Sequence, residues 1–216
     1  SLSNLQYLDI TYNCIDTTDN AFQVYINSLS IPTINYSDQN DVCDVSPIDL
    51  TELNSINITL VCPINSTTCD LSNRGITSIA SGTFVWYINL QELLLSQNKI
   101  INIDNGDFNG LINLNILDLG WNQITTIENE VFDWLTTLQA LGLYSNQITT
   151  IDSSAFNGLT NLFTLNLSSN EITSIENKTF EGLINLTRFD LNINCLNNED
   201  ITTTNYLDMI PWIGYS

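Results

Sequence analysis

The 216-residue chain carries 24 acidic residues against 4 Lys and Arg, has no histidine, and has a formal charge of −20. The acid count is ordinary and the cations are missing, which argues against nucleic acid and anionic membrane as partners, since both need a basic footprint. The commonest general base is absent, and no apolar run approaches the roughly 18 residues of a membrane span.

In chain order, Leu2, Leu5, Leu8 and Ile10 open the sequence as an apolar set. Leu5 to Ile15 then matches Leu186 to Leu196 position by position, with Cys14 opposite Cys195. The match resumes where Pro32-Thr33-Ile34-Asn35-Tyr36-Ser37 mirrors Pro211-Trp212-Ile213-Gly214-Tyr215-Ser216. Residues 1–37 and 182–216 therefore read as two copies of one terminal unit. Between the echoes, Phe22, Tyr25, Ile26 and Leu29 have helical spacing and predict a short helix capped by Thr18 or Asp19. An acidic loop follows over 38–46. Ser46-Pro47 offers an N-cap and first-turn proline for a short helix through Leu50 and Leu53. Ile56, Ile58, Leu60 and Cys62 alternate, predicting a strand with Asn57, Thr59 and Val61 outward that covers an open edge. Residues 38–65 are then an N-terminal cap.

From Ser66 to Leu196 the sequence returns every 24 residues without a slip. Leu93, Leu117, Leu141 and Leu165 form one column, and Leu95, Leu119, Leu143 and Leu167 another. Asn98, Asn122, Asn146, Asn170 and Asn194 follow, then the isoleucines from Ile100 to Ile172, then Phe84, Phe108, Phe132, Phe156 and Phe180. A fixed period of this length marks a solenoid. The Leu-x-Leu alternation is a strand signature, and each return lays a strand beside its predecessor in parallel. Each turn offers about seven apolar side chains to a shared core, at roughly 1.5–3 kcal/mol apiece when fully buried, but only stacking of turns buries both faces. The Asn column has a polar role, because an inward amide can pair turn peptides that would otherwise be buried unsatisfied.

These columns spell Leu-x-x-Leu-x-Leu-x-x-Asn-x-Ile-x-x-Ile, closing with Phe-x-x-Leu, and the stretch 66–196 resembles the leucine-rich repeat family in its 24-residue subtype. The resemblance implies an α/β solenoid: a right-handed superhelix with a parallel sheet on its concave face and irregular or short helical segments on the convex side. Residues 197–216 are then a C-terminal segment or the junction to a next unit.

Five cysteines in such a chain point to disulfides in an oxidising, extracellular setting. Cys62 pairs with Cys69 in this layout and Cys14 with Cys43. Cys195, the equivalent of Cys14, is left either as a free thiol or as an inter-unit cysteine. Six Asn-x-Ser/Thr sequons occur, as many as the Asn, Ser and Thr content yields by chance, so position has to decide among them. Asn35, Asn57, Asn65, Asn166 and Asn177 are glycosylation candidates, whereas Asn185 belongs to a recurring column with Asn89, Asn113 and Asn161.

Chemistry is hard to find. Asp70, Asp118 and Asp190 share one outward column, but such columns commonly serve solvation, and the chain reads as non-enzymatic with no cofactor. The oxygen-rich run Asp104-Asn105-Gly106-Asp107 lacks the spaced ligands of a calcium loop and reads as turn chemistry, so no metal site is assigned. The sheet's outward positions include Leu94, Ile116, Trp121, Tyr144 and Phe163, whose aromatic members fall on neighbouring repeats and are candidates for one binding patch.

The expected function is that of an extracellular structural or adhesive module, part of a longer surface protein or fibre. Its contacts would be with other copies of itself, head to tail, through Leu2, Leu5, Leu8, Ile10, Trp212, Ile213 and Tyr215. In one arrangement the parent repeats a module of about 180 residues; in the other the whole 216 residues recur, with 209–216 running into 1–5 as a longer turn. The alternative is a receptor-like ectodomain that binds a protein or glycan on its concave face.

Overall fold

The computed structural model describes residues 7–9, 33–35, 50–55, 57–176 and 178–196, the first two stretches as backbone. The chain divides into two compact units, Ser1–Ile48 and Asp49–Ser216. In the first, strand β1 (Tyr7–Asp9) pairs in parallel with β2 (Thr33–Asn35), Leu8 opposite Ile34. The helix expected over 21–29 lies outside the described residues.

The second unit is the solenoid. Its main sheet is parallel throughout and ordered β12-β11-β9-β7-β6-β4. The strands are β4 (Thr68–Asp70), β6 (Glu92–Leu94), β7 (Ile116–Asp118), β9 (Ala140–Gly142), β11 (Thr164–Asn166) and β12 (Arg188–Asp190). Every pair is offset by 24 residues, so Cys69, Leu93, Leu117, Leu141, Leu165 and Phe189 form one buried row. On the other side of the core, β8 (Thr126–Ile127) pairs with β10 (Thr150–Ile151).

Two ladders hold the turns together. Behind the sheet, Phe108, Phe132, Phe156 and Phe180 stack with centroids 6.1, 6.1 and 5.8 Å apart. Phe189 closes the series edge-on against Phe180 at 4.8 Å. After strands β6, β7, β9 and β11 stand the buried Asn98, Asn122, Asn146 and Asn170, and after β12 the half-buried Asn194. Asn146 accepts from Ile124 N–H at 3.0 Å and donates to the carbonyls of Leu119 and Leu143 at 3.0 and 3.1 Å. Asn98, Asn122, Asn170 and Asn194 make the equivalent bonds. Each amide thus reaches a carbonyl in its own turn and backbone groups in the turn before. Left unpaired, each such buried group would cost about 1–3 kcal/mol.

The cap departs from the expected layout in two places. Glu52–Leu53 is not helical: it forms strand β3, paired in parallel with β5 (Ser78–Ile79). Ile58–Val61 is not a strand but one turn of helix, α1. Asn54 and Asn57 explain the second difference. Each side-chain oxygen accepts the other's backbone N–H, at 2.8 and 3.1 Å, fixing a turn ahead of the helix that breaks the alternation. Ile58 is consequently buried while Leu60 stands exposed. Nor, among the described residues, does the cap supply the end strand of the main sheet, which is β4. It covers the core instead with Leu50, Leu53, Ile58 and Cys62. Cys62 and Cys69 are joined by a disulfide, their Cα atoms 5.6 Å apart.

Candidate functional site

The outward side chains of the main sheet define the concave face. Along it run Thr68 and Asp70, Glu92 and Leu94, Ile116 and Asp118, Ala140 and Gly142, Thr164 and Asn166, and Arg188 and Asp190. Ile116 is exposed and Leu94 half-buried. The middle of this surface is low because Ala140 and Gly142 add little bulk above the backbone.

Tyr144 fills part of that depression. Its ring lies over Gly120 and Gly142: a Cβ at Gly120 would fall inside the ring, and one at Gly142 would crowd Asp118. The Tyr144 hydroxyl donates to Asp118 Oδ2 at 3.3 Å. Burial, and then the neighbouring Asp118 charge, pushes its phenol up from the usual value. Trp121 sits beside it in backbone terms, its N–H donating to Tyr144 C=O at 2.9 Å. The second residue after the Leu-x-Leu segment is left-handed in every described turn, at Asn73, Gln97, Trp121, Ser145, Ser169 and Ile193. Trp121 has φ +54° and its indole is 60 % exposed. A bulky residue is costly in that conformation, and here little burial offsets the cost.

Phe163 lies elsewhere. Its N–H and that of Thr164 both donate to Gln139 C=O, at 2.8 and 2.9 Å, which sets Phe163 beside Gln139. Gln139 is five residues before Tyr144, or about 16 Å along an extended chain. The aromatic residues therefore occupy opposite ends of the strands, Trp121 and Tyr144 at one and Phe163 at the other. Adjacency of repeats does not make them a single patch. Phe163 instead carries the Arg188 guanidinium over its ring, 5.6 Å from the centroid.

The three aspartates of the outward column hold turns. Asp70, Asp118 and Asp190 each accept, at 2.9 Å, the N–H two residues on. Those bonds from Ser72 keep the Asp70 carboxyl below its usual range. At Asp104–Asp107, Asp107 is buried and accepts Asp104 N–H at 2.8 Å, while Asn105 donates to Glu130 at 2.9 Å. Burial raises the Asp107 carboxyl to about 6. Among the described residues no three His, Cys, Asp or Glu side chains converge as a metal site would require.

Cys195 is an exposed free thiol. Asn57 donates its amide to Glu52 C=O at 2.7 Å, Asn65 is exposed, and Asn166 lies half-buried in β11. Asn185, like Asn113 and Asn161, donates to a carbonyl of the preceding turn. Leu2, Leu5, Ile10, Cys14, Cys43, Asn177, Trp212, Ile213 and Tyr215 lie outside the described residues. Leu8 and Asn35 are described as backbone, within β1 and β2.

One apolar surface is absent from the sequence reading. Val85, Trp86, Ile88, Ile112 and Trp134 are all exposed, in the segments that follow the phenylalanine column. Trp86 and Trp134 occupy a column that is otherwise Gly110, Gly158 and Gly182. The signal was present as two tryptophans replacing glycine, and attention to the strand columns alone passes it by.

A family model described as leucine rich repeat matches residues 67–124, 88–148 and 136–196, together more than half of the chain. No curated protein matches it.

Proposed function

Because the chain belongs to the leucine-rich repeat family, whose members generally serve as non-enzymatic protein-binding scaffolds, we propose that it is an extracellular module of a longer surface protein or fibre. Its work on this reading is structural or adhesive, and its ends make unit-to-unit contacts. The carrying observation is the match between Leu5–Ile15 and Leu186–Leu196, together with what lies at the second of these. Strand β12 is the end strand of its sheet and pairs with β11 alone among the described residues. In the turn before, Leu167 and Ile172 are fully buried; in the last turn Leu191 and Leu196 are only partly so, and Ile193 is 78 % exposed. A strand with no neighbour on its outer side among the described residues, flanked by partly exposed apolar side chains, favours a further layer. The Cys62–Cys69 disulfide is compatible with an oxidising compartment, and no helix among the described residues is long and apolar enough to cross a membrane. Electron microscopy of the purified chain at high concentration tests this reading. End-to-end strings or filaments support it; isolated particles at every concentration count against it.

The second reading is recognition of a protein or glycan on the concave face. Trp121 favours it, being large, exposed and held in a costly backbone conformation. Substituting Trp121, Tyr144 and Phe163 by Ala abolishes ligand capture on this reading and leaves association through the ends unchanged.

A further inference from the structure

We propose that Asn166 is an N-glycosylation site whose first sugar is seated in a hollow of the concave face between β11 and β12. This rests on the secreted location proposed above. Two independent observations carry it. The first is the state of the asparagine. Asn166 Oδ1 accepts both Ser168 N–H at 3.0 Å and Ser168 Oγ–H at 2.7 Å, and the amide nitrogen has no hydrogen-bond partner among the described residues. In the other half-buried or tied sequons the nitrogen is already engaged: Asn57 donates to Glu52 C=O and Asn185 to Thr160 C=O, each at 2.7 Å.

The second is the hollow. It measures about 280 Å³ and is lined by Asn166 with Thr164, Thr187, Arg188, Asp190 and Asn192. Arg188 has no carboxylate partner among the described residues, and its stacking on Phe163 holds the guanidinium in place. Asp190 spends Oδ1 on Asn192 N–H and keeps Oδ2 as an acceptor. Donors and an acceptor thus face the same space, which suits a neutral sugar whose hydroxyl and acetamido groups both donate and accept. An acidic ligand would meet Asp190, and a basic one Arg188.

Attachment joins the Asn166 nitrogen to the anomeric carbon of an oligosaccharide carried on a lipid diphosphate. The nitrogen loses one proton, and the lipid diphosphate departs with the electrons of the C–O bond. The seated sugar covers the β11–β12 end of the concave face and leaves the half around Leu94, Ile116 and Trp121 open. Any concave-face partner is thereby restricted to the first four strands.

The test is expression of the full chain through an animal-cell secretory host, with glycopeptide mapping and timed endoglycosidase release from the native protein. Expected are occupancy at Asn166 and release several-fold slower than from exposed Asn65, with R188A and N192A removing the difference and S168A removing the glycan. An unmodified Asn166 beside a modified Asn65 overturns the proposal. So does a glycan on Asn166 released as fast as that on Asn65, or secreted protein with no sequon modified. A chain that is neither secreted nor modified removes the extracellular reading as well.

Discussion

The hydroxyl of Tyr87 donates to the carbonyl of Cys62 at 2.6 Å, tying the first full turn to the cap. Tyr87 occupies the column that holds Leu111, Leu135, Leu159 and Leu183 in later turns. The first turn therefore uses the aromatic ring as its core residue, against Phe84 at 5.9 Å, and the hydroxyl as a tether. Burial pushes the phenol up to about 12, so it stays a donor at any working pH. Tyr87→Phe keeps the ring and leaves the Cys62 carbonyl buried and unpaired. The expected loss is about 1–3 kcal/mol by chemical denaturation, with faster reduction of the Cys62–Cys69 disulfide by a mild thiol.

Asn146→Ala separates the buried amide ladder from the exposed one. It orphans the buried Ile124 N–H, takes one of two amide donors from each of the carbonyls of Leu119 and Leu143, and should cost about 1–3 kcal/mol. Asn161→Ala removes an exposed bond to Thr136 C=O and should cost well under about 1 kcal/mol. Urea unfolding of both variants checks the contrast.

Asp107 makes stability depend on pH in the direction opposite to most carboxylates. Burial lifts its folded value from 3.8 to about 6, so the folded chain holds the proton more tightly than the unfolded one. The resulting stability is fully present below about pH 4 and is lost as pH rises through 6. Asp107→Asn can keep the bond from Asp104 N–H without the buried charge. It should raise the melting temperature at pH 7, by the equivalent of up to about 3 kcal/mol, and leave it nearly unchanged at pH 4. Thermal scans at the two pH values decide.

Trp121→Asn tests whether the indole serves the fold. Asn accepts a left-handed backbone far better than Trp, and a side chain 60 % exposed contributes little burial. The variant should be as stable as the parent or better by about 1 kcal/mol. A loss beyond about 2 kcal/mol would make the tryptophan structural.

Much of the solenoid was legible because one column fixes all its neighbours. Once Leu93, Leu117 and Leu141 are aligned, the register follows, and with it the Phe stack and the inward asparagines. The cap was not, because Ile58 and Leu60 alternate like a strand while the turn is set by reciprocal bonds between Asn54 and Asn57 that no hydropathy pattern displays. The concave aromatics were half legible. Their repeats are adjacent, but Phe163 enters the strand and Tyr144 leaves it, so residue columns matter as much as repeat number. Trp86 and Trp134 were not legible because their column, between the recurring Phe and Leu positions, is otherwise glycine and carries no apolar period.

Association through the ends is the central claim, and sedimentation velocity over a wide concentration range tests it most directly. End-to-end association predicts a sedimentation coefficient that climbs with concentration, a climb abolished by Ile193→Asp beside β12, the end strand among the described residues, and untouched by Trp121→Ala. A single monomeric species at every concentration, with Leu191 and Phe189 amides exchanging freely with solvent, would contradict it.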